Sequence, residues 1–465
     1  MRDGISEILA SYAATAPKAS AEADAATKNI VLDSLGVALG AVDHPAVEVA
    51  RTYARAHDRP GGALVWATSD RVHPEAATLA NGCLLRCYDY NDVHFGVRQG
   101  GHPSDTLAGL LAVAETSGVT GPDLLIAIQV AYEVTFTLMD AITLGKRGWD
   151  YVTHTAIGAT CGLGRLRKLP AQVIEEAIAI TIAPHLALNA AESNELDEAG
   201  ELTMWKRFNG ADAVRQAVYA VALAESGARG VVRPFLGPVG LIEKVGAEPD
   251  VLEVVRALSD RHAPRRTHEV QLKVWPVGSR GQAAIAATLE ARRRLRQGAS
   301  LAAVRVYADE GAYKHLVRPE AWSPSSRTQA DHSLPYIVAA AVRYGEVSSD
   351  SFTADAISDA ELQDLLGRTT VEVDDALTEG SAGGFPARVE LEDEEGNVVS
   401  ATVRQAPGHL QNPMTDSQVD DKFVHLAVPA LGADSAERLR SGVRNLEAVT
   451  DVAGLVRHLA VGGSR

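Results

Sequence analysis

The helical periodicity of apolar residues constrains the fold of this chain more than any other feature. In residues 20–39, apolar and small side chains recur at spacings of three and four, as on one face of a helix: Ile30, Val31, Ser34, Leu35, Ala38 and Leu39. Residues 122–143 and 170–190 are largely apolar runs of helical length. Helices with so little polar surface lie inside a protein, so these segments predict the middle of a large helical domain.

The hydrophobic pattern changes near Pro264. Several segments beyond it read as strands because apolar and polar residues alternate in them: residues 268–275, residues 302–307, and a hairpin formed by residues 387–392 and 398–404. Helical periodicity returns after Thr415. Strands and helices mixed in this way are typical of a smaller α+β domain.

The length of the chain, 465 residues, exceeds what a single hydrophobic core usually organises. We therefore predict a mostly α fold with two domains. The helical domain is expected to consist of residues 1–263 and to be completed by residues 410–465. The smaller α+β domain is expected to consist of residues 264–409.

The formal net charge of −16 argues against nucleic acid and anionic membranes as partners. It still permits an anionic substrate, since a local cationic pocket can coexist with a negative exterior. The chain begins without an apolar signal region and contains no run of about eighteen apolar residues, so no membrane span is predicted. Three cysteines, an odd and small number, indicate reduced thiols and a cytoplasmic protein.

Residues 88–111 hold an unusual concentration of polar side chains. Its acids, amide and bases fall within fourteen positions: Asp89, Asn91, Asp92, His94, Arg98 and His102. Gly100 and Gly101 are expected to let the backbone turn sharply, and a helix is predicted from about Leu107 to Glu115. The positive end of that helix would keep the His102 imidazole neutral and attract an anion. The alternative is a surface loop whose polar residues only cap two helices.

Two further segments combine a helix start with groups that suit an anion or a proton transfer. His154 stands at a predicted helix start and is followed by small residues that permit close helix packing. Lys206 and Arg207 precede a helix predicted at residues 211–226, although both could be solvated surface charges. A metal site from Asp92, His94 and His102 is conceivable by residue type, but no tight spacing supports it, so no metal is predicted.

Several motifs in one order give the chain a resemblance to the MmgE/PrpD family, and within it to the 2-methylcitrate dehydratases. The resemblance runs nearly end to end. These motifs carry it: Asp89-Tyr90-Asn91-Asp92, Gly101-His102-Pro103-Ser104-Asp105, His154-Thr155-Ala156, Ala183-Pro184-His185-Leu186-Ala187-Leu188, Met204-Trp205-Lys206, Lys273-x-x-Pro276 with Gly281-Gln282, and Ala330-Asp331-His332-Ser333-Leu334-Pro335-Tyr336.

The resemblance implies a large all-helical domain with a smaller α+β domain, a homodimer, and chemistry on small polycarboxylates without a metal or cofactor. It also implies a site between the two domains. The residues that the resemblance places in that site as catalytic are Asp89, His102, His154, Lys206 and Lys273.

The sequence departs from the dehydratase pattern at three places. After Pro276 the dehydratases have Ala-Glu-Phe-His, whereas here Gly278 replaces the acid and Arg280 replaces the histidine. An acidic insertion follows Leu188 where a family arginine is absent, and Arg207 replaces a small residue. If the resemblance holds, all three changes fall in substrate-facing loops, so they affect the choice of substrate and not the fold.

Removing water from a β-hydroxy carboxylate requires a base, an acid and cations that hold the carboxylates. We predict that His102 and His154 transfer protons, that Asp89 orients one of them or shares in the transfer, and that Lys206 and Lys273 supply positive charge. Five residues are predicted to bind substrate: Asn91, Tyr151, Arg207, Arg280 and His332. Decarboxylation, epimerisation beside a carboxylate, and binding without turnover remain alternatives.

Overall fold

The computed structural model describes residues 3–185, 187–191, 197–198, 201–246, 248–260, 263–379 and 383–461. Up to residue 260 the described chain is predominantly helical. The helices are Gly4–Thr15, Ala21–Leu39, Pro45–Arg55, Pro74–Arg86, Asp105–Glu115, Gly121–Ala141, Val152–Leu166, Ala171–Ile182, Asn209–Glu225, Leu241–Val245 and Val251–Asp260. Two short antiparallel pairs interrupt them, Asp58–Leu64 with Arg71–Val72 and His94–Phe95 with Gly100–Gly101.

The helix Gly121–Ala141 lies at the centre of this domain. By length and composition it is apolar enough to cross a membrane, but 94% of its apolar window is buried inside the protein, as in a core helix. The helix Val152–Leu166 packs against it closely because of Gly158: a Cβ atom there would lie 2.0 Å from Thr135 Oγ1 and 2.6 Å from the Ala131 carbonyl oxygen. The close approach predicted from the small residues after His154 is therefore confirmed.

The smaller region is an α+β unit built on a four-stranded mixed sheet. The strand Leu301–Ala308 pairs in parallel with Thr369–Val373 and antiparallel with Ala387–Asp393, which forms a hairpin with Val398–Val403. Apolar residues of the helix Ser279–Arg294 share one hydrophobic core with the sheet. The remaining helices are Glu310–Leu316, Arg327–Ala330, Leu334–Tyr344, Ala354–Ile357, Ala360–Gly367 and Asp375–Thr378.

The chain returns to the helical domain after residue 415. The last helices are Asp416–Leu431, Ala433–Arg444 and Val452–Val456. Phe423 in the first of them packs directly on Gly36, where a Cβ atom would lie 3.1 Å from the Phe423 Cα. The mostly α fold with a smaller α+β region is thereby confirmed. The numerical domain limits stay a prediction, which this packing favours.

Two predicted elements are wrong. Residues 268–275 do not form a strand: Arg266–Glu269 is a 3-10 turn, and Gln271 makes only an isolated bridge to Val93. The alternation arises because Val270 and Leu272 are buried against the helical core while the segment threads between the two domains. The helix predicted over residues 170–190 ends at Ile182, since Pro184 disfavours helical backbone at the residue before it.

The acidic loop predicted after Leu188 falls largely outside the described residues, which include only Asp197, Glu198 and Glu201 of it. The strand Thr369–Val373, in contrast, is present although the sequence pattern did not predict it.

We predict that Gly158→Ala lowers stability although alanine normally favours a helix over glycine by about 1 kcal/mol. The added methyl group would overlap Thr135 Oγ1 and the Ala131 carbonyl oxygen, so we expect a cost of about 2–3 kcal/mol, measured as a lower Tm. Gly454→Ala is the matched control because a Cβ atom there meets nothing within 4 Å. Equal Tm values for the two variants would contradict the close packing.

Candidate active site

A cavity of about 300 Å³ lies between the helical domain and the α+β domain. Its volume is at the lower end of the range of small-molecule sites, about 300–1,000 Å³. The helical domain contributes most of one wall, with the polar residues Asp89, Gln99, His102, Tyr151 and Lys206. The other wall consists of residues of the α+β domain and of the segment that leads into it: Lys273, Ser279, Arg280, His315 and His332.

Asp89 and Lys273 connect the two walls. The Lys273 ammonium lies 2.8 Å from Asp89 Oδ1 and also donates to the Asp89 backbone carbonyl. Asp89 has a φ of +46°, a left-handed conformation that aspartate tolerates better than most residues. His102 Nε2 lies 3.6 Å from the same carboxylate oxygen. One carboxylate therefore faces both an ammonium and an imidazole inside the cavity.

The orientation of His102 is fixed by its other ring nitrogen. His102 Nδ1 lies 2.5 Å from the Asp92 carbonyl oxygen, to which only a protonated nitrogen can donate. The Asp92 side chain in turn accepts from the Ser104 backbone N–H at 3.1 Å and from the Tyr132 hydroxyl at 2.9 Å. Because Nδ1 carries the proton, the lone pair of a neutral His102 is on Nε2, the nitrogen nearest Asp89.

The charges in the cavity shift the pKa values of these groups. Burial, followed by the charges of Arg86 and Lys273, lowers the pKa of His102 well below its ordinary value of 6.5. Burial alone would raise the pKa of Asp89, but Lys273 and the other nearby cationic groups hold it well below 3.8. Burial lowers the pKa of Lys273 although Asp89 acts against that shift. Near neutral pH the site thus combines a neutral imidazole with an ionised carboxylate.

Further positive charge comes from both walls. Lys206 is buried in the 3-10 turn Met204–Arg207, just before the helix Asn209–Glu225. Arg280 is in the first turn of the helix Ser279–Arg294, and its Cζ lies 5.0 Å from the centre of the Phe385 ring. Ammonium and guanidinium groups in a partly closed cavity attract a multiply charged anion.

Tyr151 and His332, which the sequence predicts to bind substrate, both line the cavity. The Tyr151 hydroxyl donates to the buried Asp105 carboxylate at 3.2 Å, and its ring stands edge-on to His102 at 5.7 Å. His332 Nδ1 lies 2.5 Å from Asp331 Oδ1, and Asp331 is buried. A carboxylate in this position fixes the tautomer and the ring orientation of a histidine.

Three of the predicted site residues lie outside the cavity lining. His154 is fully buried, and its Nε2 is 3.0 Å from the carbonyl oxygen of Ile142 at the end of the central helix. Burial lowers the pKa of His154 to about 4. Asn91 is buried and donates to the Ser104 hydroxyl at 3.0 Å, and Arg207 is buried beyond Lys206. The sequence-based hypothesis required the rings of His102 and His154 to face the same cavity. In the structure only His102 lines it.

The predicted turn at Gly100 and Gly101 is also wrong, because both residues pair with His94 and Phe95 in a short hairpin. Gly101 is needed instead for close approach, since a Cβ atom there would lie 2.3 Å from the Tyr151 ring. The predicted helix after them is confirmed as Asp105–Glu115, three residues beyond His102.

His315 is the cavity histidine that the sequence reasoning missed. It lies in the short helix Glu310–Leu316, and burial, followed by the charge of Arg280, lowers its pKa to about 4. The only available signal was its closeness in sequence to Lys314 and Arg318, which resembles an ordinary basic surface.

Comparison with known proteins gives matches along nearly the whole chain. The family model for the MmgE/PrpD N-terminal domain matches residues 7–252, and the model for the C-terminal domain matches residues 275–448. Cis-aconitate decarboxylase-like protein oryM of Aspergillus oryzae is 25% identical over 457 residues, which cover 92% of this chain and 91% of that protein.

Two other relatives have similar identity. The 2-methylcitrate dehydratase of Cupriavidus necator is 24% identical over 371 residues, covering 76% of this chain and 73% of that protein. The cis-aconitate decarboxylase of Homo sapiens is 23% identical over 444 residues, covering 91% of this chain and 88% of that protein. Because the two family models match residues 7–252 and 275–448, in the order N-terminal domain then C-terminal domain, the chain belongs to the MmgE/PrpD family.

Proposed function

We propose that this protein is a lyase that removes water from a small hydroxy-polycarboxylate such as 2-methylcitrate or a citrate-like acid, without a metal or cofactor. The observation that carries the proposal is the combination, in one cavity, of a neutral His102 with Lys206, Lys273 and Arg280. Relatives named as 2-methylcitrate dehydratase and alkylcitrate dehydratase support the same class of reaction.

Binding of the substrate rests on the cations of the two walls. Lys206 comes from the helical domain and Arg280 from the α+β domain, so a polycarboxylate between them bridges both. Arginine binds a carboxylate through two parallel N–H donors and stays charged at any pH of interest. Arg280 therefore holds a carboxylate and is unsuited to proton transfer.

We assign the removal of the proton to His102. Its Nε2 lone pair can take the proton from the carbon next to a carboxylate while Nδ1 stays bound to the Asp92 carbonyl. The imidazolium that results is stabilised by the ionised Asp89, 3.6 Å away. The negative charge that develops on the substrate carboxylate is stabilised by Lys206 and Lys273.

The departing hydroxyl needs a proton from the other side of the substrate. We assign this step to His332, since it lines the same cavity from the α+β domain and is oriented by the buried Asp331 carboxylate. The Asp331 carboxylate can stabilise the imidazolium that donates the proton. His315, kept neutral by burial and neighbouring cations, is assigned a hydrogen-bonding role beside Arg280.

Decarboxylation of an aconitate-like acid is the second candidate. The cis-aconitate decarboxylase of Homo sapiens aligns over 91% of this chain and the cis-aconitate decarboxylase-like protein oryM over 92%, against 76% for the Cupriavidus necator dehydratase. The two reactions share the cations that hold the carboxylates and differ in whether water or carbon dioxide is lost.

Product analysis by NMR in deuterated water separates the candidates. Citrate, 2-methylcitrate, the aconitates and related hydroxy-diacids would each be incubated with the protein. Loss of water supports the dehydratase, loss of carbon dioxide supports the decarboxylase, and exchange of one hydrogen without loss indicates an epimerase. Saturable binding by calorimetry without any product would replace the lyase proposal with a binding protein.

We predict that His102→Gln lowers kcat by about 10²–10⁴-fold, the usual contribution of a general base, while the protein stays folded. His425→Gln is the matched control because His425 is exposed on the helix Asp416–Leu431 and does not line this cavity. Steady-state kinetics on the substrate found in the screen and circular dichroism provide the measurement. A kcat for the His102 variant within threefold of the wild type, about one RT in energy, would reject His102 as the base.

Arg280→Gln is expected to raise KM by about 10–100-fold, because a charge-assisted hydrogen bond contributes about 1.5–3 kcal/mol. The effect on kcat should be smaller. The same variant tested with a substrate analogue that lacks one carboxylate provides the control, since the partner of Arg280 is then absent. Equal losses for both substrates would show that Arg280 does not bind that carboxylate.

The pH profile of kcat/KM follows from two pKa shifts. The base must be unprotonated, so the lowered pKa of His102 places the loss of activity at acid pH below pH 6.5. Lys273 must be charged, so its lowered pKa places the loss at alkaline pH below pH 10.5. In a His332→Gln background, which removes the proposed general acid from the profile, Lys273→Arg should move the alkaline loss upward, because arginine does not deprotonate in that range. An unchanged alkaline limb in that variant would assign it to another group.

A further inference from the structure

A buried ammonium group from the last part of the chain lies directly behind the cavity. Lys422 belongs to the helix Asp416–Leu431 and is 8% exposed. Its Nζ lies 2.6 Å from Oδ1 of Asp33, a fully buried carboxylate in the helix Ala21–Leu39. The pair joins two helices that are 389 positions apart in the sequence.

The same ammonium also contacts the two segments that carry the catalytic pair. Lys422 Nζ donates to the Lys273 backbone carbonyl at 2.7 Å and lies 3.4 Å from the Tyr90 carbonyl oxygen. It also stands 3.7 Å from the centre of the Tyr90 ring. Tyr90 directly follows Asp89. Both backbone contacts of Lys422 are therefore made at or next to the two residues of the ion pair between Asp89 and Lys273.

Backbone hydrogen bonds made by Gln271 and Leu272 support the segment just before Lys273. It is not part of a sheet, and the Gln282 side chain holds the next two residues by accepting from the backbone N–H groups of Val274 and Trp275 at 3.1 and 3.2 Å. The Tyr90 hydroxyl donates to the Val274 carbonyl at 2.6 Å. Lys422 therefore supplies the contact at Lys273 itself.

A buried ion pair is a poor device for stability, because an apolar pair of similar volume usually serves as well or better. The Lys422 ammonium can instead serve to hold backbone groups in place, because its N–H donors are directed at specific carbonyl oxygens. From this geometry we propose that Lys422 is a positioning residue, which fixes the backbones of Lys273 and Tyr90 and thereby the distance between the Lys273 ammonium and the Asp89 carboxylate. The inference rests on the proposed function of that pair.

Two variants separate positioning from stability. Asp33→Asn removes the charge of the partner, and a Lys422 amine that has lost its proton still has two N–H donors, one for each backbone carbonyl group. The double variant Asp33→Asn with Lys422→Met removes these contacts without leaving a buried carboxylate unpaired. We expect kcat of the double variant to fall by about 10–100-fold relative to Asp33→Asn, since a displacement of about 1 Å at a reacting group has an effect of that size.

The split between kinetic constants identifies the role. KM should change by less than about threefold, which is under 1 kcal/mol, because Lys206 and Arg280 still bind the substrate. Phe423→Leu is the control for a general loss of packing, since Phe423 is the fully buried neighbour of Lys422 on the same helix. After correction for the folded fraction, its kcat should match the wild type. A double variant with the kcat of Asp33→Asn would overturn the inference.

Crystal structures of the two variants test the inference even if the wild-type protein turns over none of the acids. The distance between Lys273 Nζ and Asp89 Oδ1, 2.8 Å here, should be kept in Asp33→Asn. In the double variant it should exceed about 3.5 Å, beyond hydrogen-bond range. Absence of turnover with that lengthening rejects the proposed function alone, whereas an unchanged distance rejects the positioning role.

Discussion

The ion pair between Asp89 and Lys273 is the interaction on which the arrangement of the cavity depends. Its partners are 184 positions apart, one in the loop after the helix Pro74–Arg86 and the other in the segment between the two domains. An ammonium buried there without a carboxylate would lose its proton, and a carboxylate without an ammonium would gain one. Inside the cavity each group therefore keeps its charge only while its partner is present, so the contact between the domains and the electrostatics of the cavity form together.

Hydrogen bonds hold the groups around the Asp89–Lys273 ion pair in place. Asp92 holds His102 from the backbone side, while its own carboxylate is held by Ser104 and Tyr132. Asp92, Ser104 and Tyr132 are buried, where an unsatisfied partner costs about 1–3 kcal/mol. Burial and the charges of Arg86 and Lys273 keep the imidazole neutral by lowering its pKa, whereas the hydrogen bond to Asp92 fixes its tautomer and orientation. The effect of the helix field stays a prediction.

The fold could be predicted from periodicity because long apolar helices leave few alternatives, and part of the site could be predicted because its motifs resemble a family. The directions in which the side chains point could not be predicted from the sequence. His154 is in the first turn of its helix, as predicted, yet its ring contacts the Ile142 carbonyl oxygen and does not line the cavity. His315 carries no sequence signal because its place depends on how the α+β domain meets the helical one. The wrong strand at residues 268–275 has the same origin, since apolar alternation reports burial and not the identity of the partner.

The distribution of residues between the two walls has a consequence for specificity. The helical wall supplies His102, Asp89 and Lys206, which suit proton removal and charge stabilisation beside any carboxylate. The α+β wall supplies Arg280, where this chain departs from the dehydratase pattern that its sequence resembles, and also His315. Because those two side chains lie on another domain, they can change without disturbing the hydrogen bonds that hold His102. The proton-removing His102 and the carboxylate-binding Arg280 that we propose are therefore carried by different domains, so a substitution at Arg280 can alter the choice of acid without displacing His102.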